Sequence, residues 1–450
     1  MSNYWEETID GVRTLTSKIK IDCEHLLNEF MTEEHFDIII DEDTDFYAPP
    51  KSSLDGAKNG EDNLGFRFRK NVFTEEEMKG AYAGLIGAAT LTNNRGTSTG
   101  QIGDQRQGNR DWVYPWQTDI MNLVVNGDLT GQTPQGIMDA YIKKWGSLDF
   151  HWDKRSALWH RAQVAAGGYE YENFFLNLIP DLTAEKVKEI KKFITTTMYT
   201  AGILSGIAGF YDRYPRIPYG RATNYTEQNA SKFELSYPYM RKLDSLFKEL
   251  VPQRHAFQKK VAESIDERFI VAGDTAFSTI TVNKNYRTTA HRDGANLEGG
   301  FSNLSTVTDG DIGWEGGLFV LPEYRVAINL RPGDALLVDN AGIIHGNTPI
   351  IPPDGMDLED MERISMVSYM RDGMQELKSK EYEDARREYV TERSRNTDHK
   401  LWRERWNGVS EGMWAEDEWA NYLASKNLSD EDNVVGKDKP ETNDLESFFS

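Results

Sequence analysis

The run Phe277-Ser278-Thr279-Ile280-Thr281-Val282-Asn283-Lys284-Asn285 decides how this chain folds. Ile280 and Val282 alternate with Thr279, Thr281, Asn283 and Asn285, the period of two that marks a strand with one apolar and one polar face. The polar parity continues to His291 and Asp293, so the asparagine-lined side is predicted to face a metal. More short strands follow. Gly316-Gly317 opens one through Val320, and Val326, Ile328 and Leu330 alternate before Arg331-Pro332-Gly333-Asp334, a type II-like turn. Ala335 to Asp339 forms the next strand and delivers His345 from the loop beyond it. In the last strand Ile364, Met366, Ser368 and Met370 share one face, while Arg363, Ser365, Val367, Tyr369 and Arg371 share the other. A polar face on an otherwise core-like strand points to a cavity. Many short antiparallel strands of this kind imply a double-stranded β-helix, or jelly roll, within an α+β chain.

Chemistry is concentrated in the same stretch. His291-Arg292-Asp293 and the distant His345 offer two imidazoles and a carboxylate to one face of a metal. That set is the facial triad of non-haem Fe(II) oxygenases, which leaves positions open for a co-substrate and O₂. Arg363-Ile364-Ser365 supplies what a 2-oxoglutarate site needs: a guanidinium fork for the remote carboxylate and a hydroxyl beside it. Asn283 and Asn285 either touch the same co-substrate or close strand hydrogen bonds. A second His-x-Asp, His151-Trp152-Asp153, lacks a sequel of matching spacing. It sits among Trp145, Trp152 and Trp159 and reads as structural.

The chain has 450 residues, a 38% hydrophobic share, and 20 each of Phe and Tyr, enough for a sizeable core. Its single cysteine, Cys23, excludes an internal disulfide and a cysteine-based zinc site, and fits a reducing cytoplasm. No signal peptide or membrane span is expected. A net charge of −22 argues against non-specific coating of nucleic acid, where phosphate neutralisation drives binding. The charge is uneven, however: Arg287, Arg292, Arg325, Arg331, Arg363 and Arg371 crowd the catalytic stretch, so one basic cleft stays open as a reading.

Four regions are expected. Residues 1–215 read as mainly helical, with helices over Thr14 to Met31, Phe73 to Leu91 (opened by the capping residues Thr74-Glu75-Glu76-Glu77), Gln135 to Trp145, Ser156 to Ala166 and Thr183 to Gly209. An acidic irregular stretch, Asp41 to Asp45, and a polar loop, Thr92 to Trp116, interrupt them. The apolar, Gly/Ala-rich runs Gly80 to Leu91 and Met198 to Tyr211 read as closely packed helices. Residues 216–374 form the oxygenase core, including a helix over Lys232 to Val251. Residues 375–428 form a charged helical extension whose aromatic residues, Trp402, Trp406, Trp414, Trp419 and Tyr422, pack onto the body. Residues 429–450 form an acidic tail whose composition predicts disorder.

His291-Arg292-Asp293-Gly294-Ala295-Asn296, His345-Gly346-Asn347-Thr348-Pro349 and Arg363-Ile364-Ser365-Met366-Val367-Ser368-Tyr369 together resemble the TET/JBP group of Fe(II)/2-oxoglutarate oxygenases, more specifically its phage and bacterial branch. The resemblance covers roughly Ile217 to Met374. It implies hydroxylation of the C5 methyl of a pyrimidine in DNA, 5-methylcytosine or thymine, with release of succinate and CO₂. It implies that His291, Asp293 and His345 bind iron and that Arg363 and Ser365 bind 2-oxoglutarate. Asn296 and Tyr369 would then meet the pyrimidine, with Arg292 and Arg371 as further substrate contacts. Arg371 stands where the TET pattern has a base-contacting His. Because Arg only donates, it favours a carbonyl edge. The base would have to be flipped out or single-stranded to reach the metal.

Three alternatives remain at this point. They are a hydroxylase of the same chemistry acting on a free nucleotide or other small molecule, a cupin-type metalloenzyme without 2-oxoglutarate, and a non-enzymatic nucleic-acid-binding protein with a degenerate barrel. The cytoplasm of a bacterium or a virus-infected host cell is the expected location. Oligomeric state is left open.

Overall fold

The computed structural model describes residues 2–50, 59–92, 98, 203–213, 217–310, 312–405 and 410–429. The chain begins with strands: β1 (Tyr4–Ile9), β2 (Val12–Ser17), β3 (Ile38–Ile40), β4 (Thr44–Tyr47) and β5 (Leu64–Arg69). The helix expected over Thr14 to Met31 is absent. β1 and β2 pair as a hairpin closed by Asp10 and Gly11, both at positive φ (50° and 81°). That geometry matches the twist of antiparallel strands. Only two short 3₁₀ turns, Glu24–Leu26 and Glu33–His35, follow before β3. The Asp41 to Asp45 stretch is likewise half strand. The described part of the N-terminal region is therefore mainly β. Its helix is Glu75–Leu85, where Thr74 and Glu77 form the expected capping box.

The chain continues through β6 (Leu91–Thr92), β7 (Ile203–Arg213) and β8 (Ile217–Ala222), then helices Tyr237–Leu250 and Pro252–Glu263. The first of these two fills the helical pattern expected over Lys232 to Val251. β7 corrects the helix expected across 203–209. Its glycines do permit close approach, but of strand backbone: a Cβ on Gly206 would lie 1.9 Å from the Ala88 carbonyl oxygen. The His151 copy, the helices expected over 135–145 and 156–166, and the tail beyond Ser429 lie outside the described residues. So does all of the polar loop beyond Thr92 except Ser98.

Next come β9 (Thr279–Lys284), β10 (Ser302–Thr308), β11 (Glu315–Gly316), β12 (Phe319–Leu321), β13 (Val326–Ile328), β14 (Ala335–Val338), β15 (Gly346–Asn347), β16 (Ile350–Ile351) and β17 (Arg363–Tyr369). The large sheet runs β1-β2-β4-β5-β14-β10-β17-β9-β7-β6, with β8 on β7; the smaller one runs β15-β12-β13-β3. Between them Phe46, Phe66, Phe68, Leu336 and Val338 meet Phe319, Leu321, Val326 and Ile328 in one apolar core. Two unequal sheets enclosing a core are what a jelly roll requires. The boundary expected at residue 215 does not divide the fold. β5 pairs with β14, and β3 runs parallel to β13, so residues 1–69 build part of both sheets.

Helices Tyr237–Leu250 and Glu75–Leu85 cover the back of the large sheet, packing on Ile280, Val282, Ile364 and Met366. These are the apolar-parity residues of β9 and β17, so the opposite parity is turned toward the cavity. Helix Lys380–Arg395 lies against β8. Its Tyr382 and Tyr389 cluster with Trp414, Trp419 and Tyr422, which occupies these rings in packing. Trp402 is buried beside Met413, and Trp406 lies outside the described residues. No helix among the described residues is long and apolar enough to cross a membrane.

Candidate active site

The two histidines are brought together by the backbone itself. His291 N–H donates to the His345 carbonyl at 2.9 Å, and His345 N–H donates to that of His291 at 3.0 Å. Residues that exchange both hydrogen bonds across an antiparallel bridge send their side chains to the same side. The imidazoles accordingly lie with ring centroids 4.4 Å apart. Asp293 arrives from the turn after His291 and is fixed by its N–H to the Asn340 carbonyl (3.0 Å). Its Oδ1 stands 3.5 Å from His291 Nε2 and 3.9 Å from His345 Nε2.

All three ligand atoms lie within 4.8 Å of one another. Donors about 2.1 Å from a shared ion, on one octahedral face, would sit about 3 Å apart. Small side-chain rotations close the difference. Tautomers are set as well, because each Nδ1 meets a backbone carbonyl, Thr289 O at 2.7 Å and Ile343 O at 3.0 Å. An Nδ1–H committed to a carbonyl leaves Nε2 with its lone pair facing the partner ligands, as metal ligation demands.

Electrostatics agree with this geometry. Burial, reinforced by His291 nearby, lowers the His345 pKa to about 4, so its imidazole is neutral near pH 7. For Asp293 burial acts upward, but the close approach of His291 and His345 and the hydrogen bond from Asn340 outweigh it and hold the carboxyl at about 2. Two imidazole nitrogens and one carboxylate fit a divalent cation. The Asp293 Oδ2 atom accepts from Asn340 Nδ2 at 3.2 Å, which turns Oδ1 toward the histidines. Asn340→Ala should weaken metal affinity roughly tenfold to a hundredfold, the usual loss for an outer-sphere partner. Calorimetric titration with Mn(II) checks this, and unchanged affinity would remove Asn340 from the site.

The triad opens into a cavity of about 410 Å³ whose lining includes Asn283, His291, Asp293, Asn296, His345, Arg363, Ser365, Tyr369 and Arg371. β17 contributes alternate residues to it, as its parity requires. Arg363 is 4% exposed, and its Nε and Nη1 have no hydrogen-bond partner among the described residues. Burial, with Arg331 nearby, pushes its pKa down to about 10. A buried guanidinium without a carboxylate is a strongly unfavourable arrangement unless an anion enters. This fits a keto-acid carboxylate. Ser365 stands two residues along the same face, directly across from Asn283 on β9. Asn283 Oδ1 accepts from Ser205 Oγ on β7, a partner the sequence did not suggest because that stretch read as helical.

Other expected residues are placed differently. Asn285 leaves the cavity: at φ 47° it ends β9 and donates to the Leu358 carbonyl at 2.7 Å, so it closes a loop and does not reach the co-substrate pocket. Arg292 borders the cavity, but its guanidinium is engaged by Glu24 at 2.7 Å and approaches Glu323 at 3.7 Å, which ties the metal loop to the N-terminal segment. Asn296 Nδ2 donates to Ser302 Oγ at 2.6 Å and reaches Asp293 Oδ2 at 3.5 Å. Arg371 Nε donates to Asp212 Oδ1 at 2.8 Å.

Several site residues escape sequence reasoning. Phe319 stacks on His345 with centroids 5.2 Å apart, and Glu323 accepts the Ile344 N–H beside that histidine. Asn340 lies in an ordinary turn with no local signal. Trp314 sits in a loop of Asp and Gly residues.

A His-Asp-His face beside a buried arginine that lacks a carboxylate partner among the described residues, between two β-sheets, is the arrangement that Fe(II)/2-oxoglutarate oxygenases use. Residues 206–372 match the Tet_JBP family, the oxygenase domain of the 2OGFeDO superfamily. The bifunctional helicase and thymine dioxygenase JBP2 of Leishmania infantum is 34% identical over 172 residues, covering 38% of this chain and 15% of the relative. Thymine dioxygenase JBP1 of Crithidia fasciculata is 28% identical over 179 residues, covering 39% and 21%. The chain thus matches only about a fifth or less of the length of these relatives. Among solved structures, NgTET1 in complex with 5mC DNA aligns over 45% of this chain and 73% of that one, at 15% identity and a TM-score of 0.31.

Proposed function

We propose that this protein hydroxylates the C5 methyl group of a pyrimidine base in DNA, consuming 2-oxoglutarate and O₂. The observation that carries the reading is the opening of the three ligand atoms and the unpaired Arg363 into one cavity. His291, Asp293 and His345 would hold Fe(II), while Arg363 and Ser365 would hold the co-substrate. Once bound, the metal and keto acid supply the oxidising power, with succinate and CO₂ as co-products. The chain's own residues bind, orient and exclude water.

The choice of DNA rests on the relatives named as thymine dioxygenases. A methyl stacked inside a duplex cannot reach a metal recessed between two sheets, so the proposal includes a flipped or single-stranded base. Tyr369 on the cavity wall and Asn296 near Asp293 are its substrate-side candidates. Arg371, held at Nε by Asp212, is a third and offers donors only, which favours a pyrimidine carbonyl. A reducing cytoplasm belongs to the same proposal.

A net charge of −22 favours a second reading, a free nucleotide as substrate. Nucleoside mass spectrometry separates the two readings. Protein supplied with Fe(II) and 2-oxoglutarate is expected to yield 5-hydroxymethylpyrimidine in thymine- or 5-methylcytosine-containing oligonucleotides. Oxidation of free nucleotides with none in DNA would favour the second reading.

A further inference from the structure

Buried donors with no partner among the described residues gather around one indole. Trp314 is 8% exposed and its Nε1–H has no partner among the described residues. The guanidinium carbons of Arg331 and Arg363 lie 4.8 and 5.0 Å from the centroid of its ring. Among the described residues Arg363 Nε and Nη1 have no partner, nor does Arg331 Nη1. Arg331 is anchored at its other end, with Nη2 on the Gly316 carbonyl at 3.1 Å and its backbone N–H on Asp334 Oδ2 at 3.0 Å. The indole nitrogen also lies against the cavity wall, because a Cβ on Gly317, which lines the cavity, would stand 3.2 Å from it.

Two like charges packed on one buried ring are not arranged for stability alone. Each repels the other, and buried donors left unmatched are destabilising. Aromatic stacking uses the face of a guanidinium and leaves its edge N–H groups free for a carboxylate. A dianion with its remote carboxylate at Arg363 would relieve both penalties.

We propose that Trp314 and Arg331 are positioning residues for the remote carboxylate of the keto-acid co-substrate. Trp314 fixes the Arg363 fork by stacking, and Arg331 adds a second positive charge that selects dicarboxylates. The proposal rests on the 2-oxoglutarate reading of Arg363, and binding alone can test it, without turnover.

Full-length protein loaded with Mn(II) is titrated calorimetrically with 2-oxoglutarate and with 2-oxopentanoate, which keeps the keto-acid end and chain length but lacks the remote carboxylate. Trp314→Leu and Arg331→Met should each weaken 2-oxoglutarate binding about tenfold, within the range of a desolvated cation–aromatic contact, while 2-oxopentanoate binding stays unchanged. Trp314→Phe, which keeps a stacking ring, should recover most of the affinity. Unchanged 2-oxoglutarate affinity in Trp314→Leu and Arg331→Met would overturn the proposal. So would equal losses for both keto acids, or equal losses in Trp314→Phe and Trp314→Leu. A wild-type protein that binds 2-oxopentanoate and 2-oxoglutarate equally would instead overturn the underlying reading of Arg363.

Discussion

Asp293→Ala should yield a folded protein that no longer retains a divalent metal and has no measurable turnover. The carboxylate is the only anionic member of the three-residue group, and its Oδ1 lies closest to both imidazole nitrogens. Without it, two imidazoles remain, a pair with far less affinity for a hard ferrous ion than the mixed set. Folding should survive, because the backbone bridge between His291 and His345 does not depend on the Asp293 side chain. Thermal melting with and without Mn(II) checks this directly. The wild type should gain stability with metal concentration by mass action, and the variant should show no shift. A variant that still melts higher with metal would show that the ligands are misassigned.

Arg363→Met should produce the second-largest effect. Two charge-assisted hydrogen bonds to a carboxylate contribute about 1.5–3 kcal/mol each, so their loss should raise the KM for 2-oxoglutarate by at least about a hundredfold. Stability of the ligand-free protein should hold or rise, because the substitution removes a buried guanidinium with no carboxylate partner among the described residues. Steady-state kinetics and a melting curve on the same preparation read both effects. An unchanged KM would place the co-substrate elsewhere, and a large drop in melting temperature would mean that Arg363 has a structural partner.

The division between what the sequence reveals and what it hides follows from where the stabilising partners lie. β9 and β17 were legible because each alternates within a few residues, one parity in the core and the other in the cavity. The parity argument also put Arg363, Ser365 and Tyr369 on one wall. Asn285 breaks it, because a positive φ ends the strand and turns the side chain away. The N-terminal strands were not legible. β3 and β5 are strands through pairing with β13 and β14, hundreds of residues later, and strand preference depends on such neighbours more than on local composition. β7 was hidden for a related reason: Gly206 and Gly209 resemble the small residues of packed helices, yet here they admit the Ala88 and Ser278 carbonyls. Asn340, Trp314 and Asp212 act only through side chains remote in sequence, so no local pattern marks them.

The most direct test is an anaerobic titration of the full-length protein with Fe(II) in the presence of 2-oxoglutarate, followed in the visible range where a keto acid chelated to ferrous iron absorbs by charge transfer. Binding that saturates at one iron per chain, with an absorption that vanishes in Asp293→Ala and returns only at far higher 2-oxoglutarate in Arg363→Met, is the predicted result. Absence of the band in the wild type, or its persistence in Asp293→Ala, would contradict the proposed metal centre.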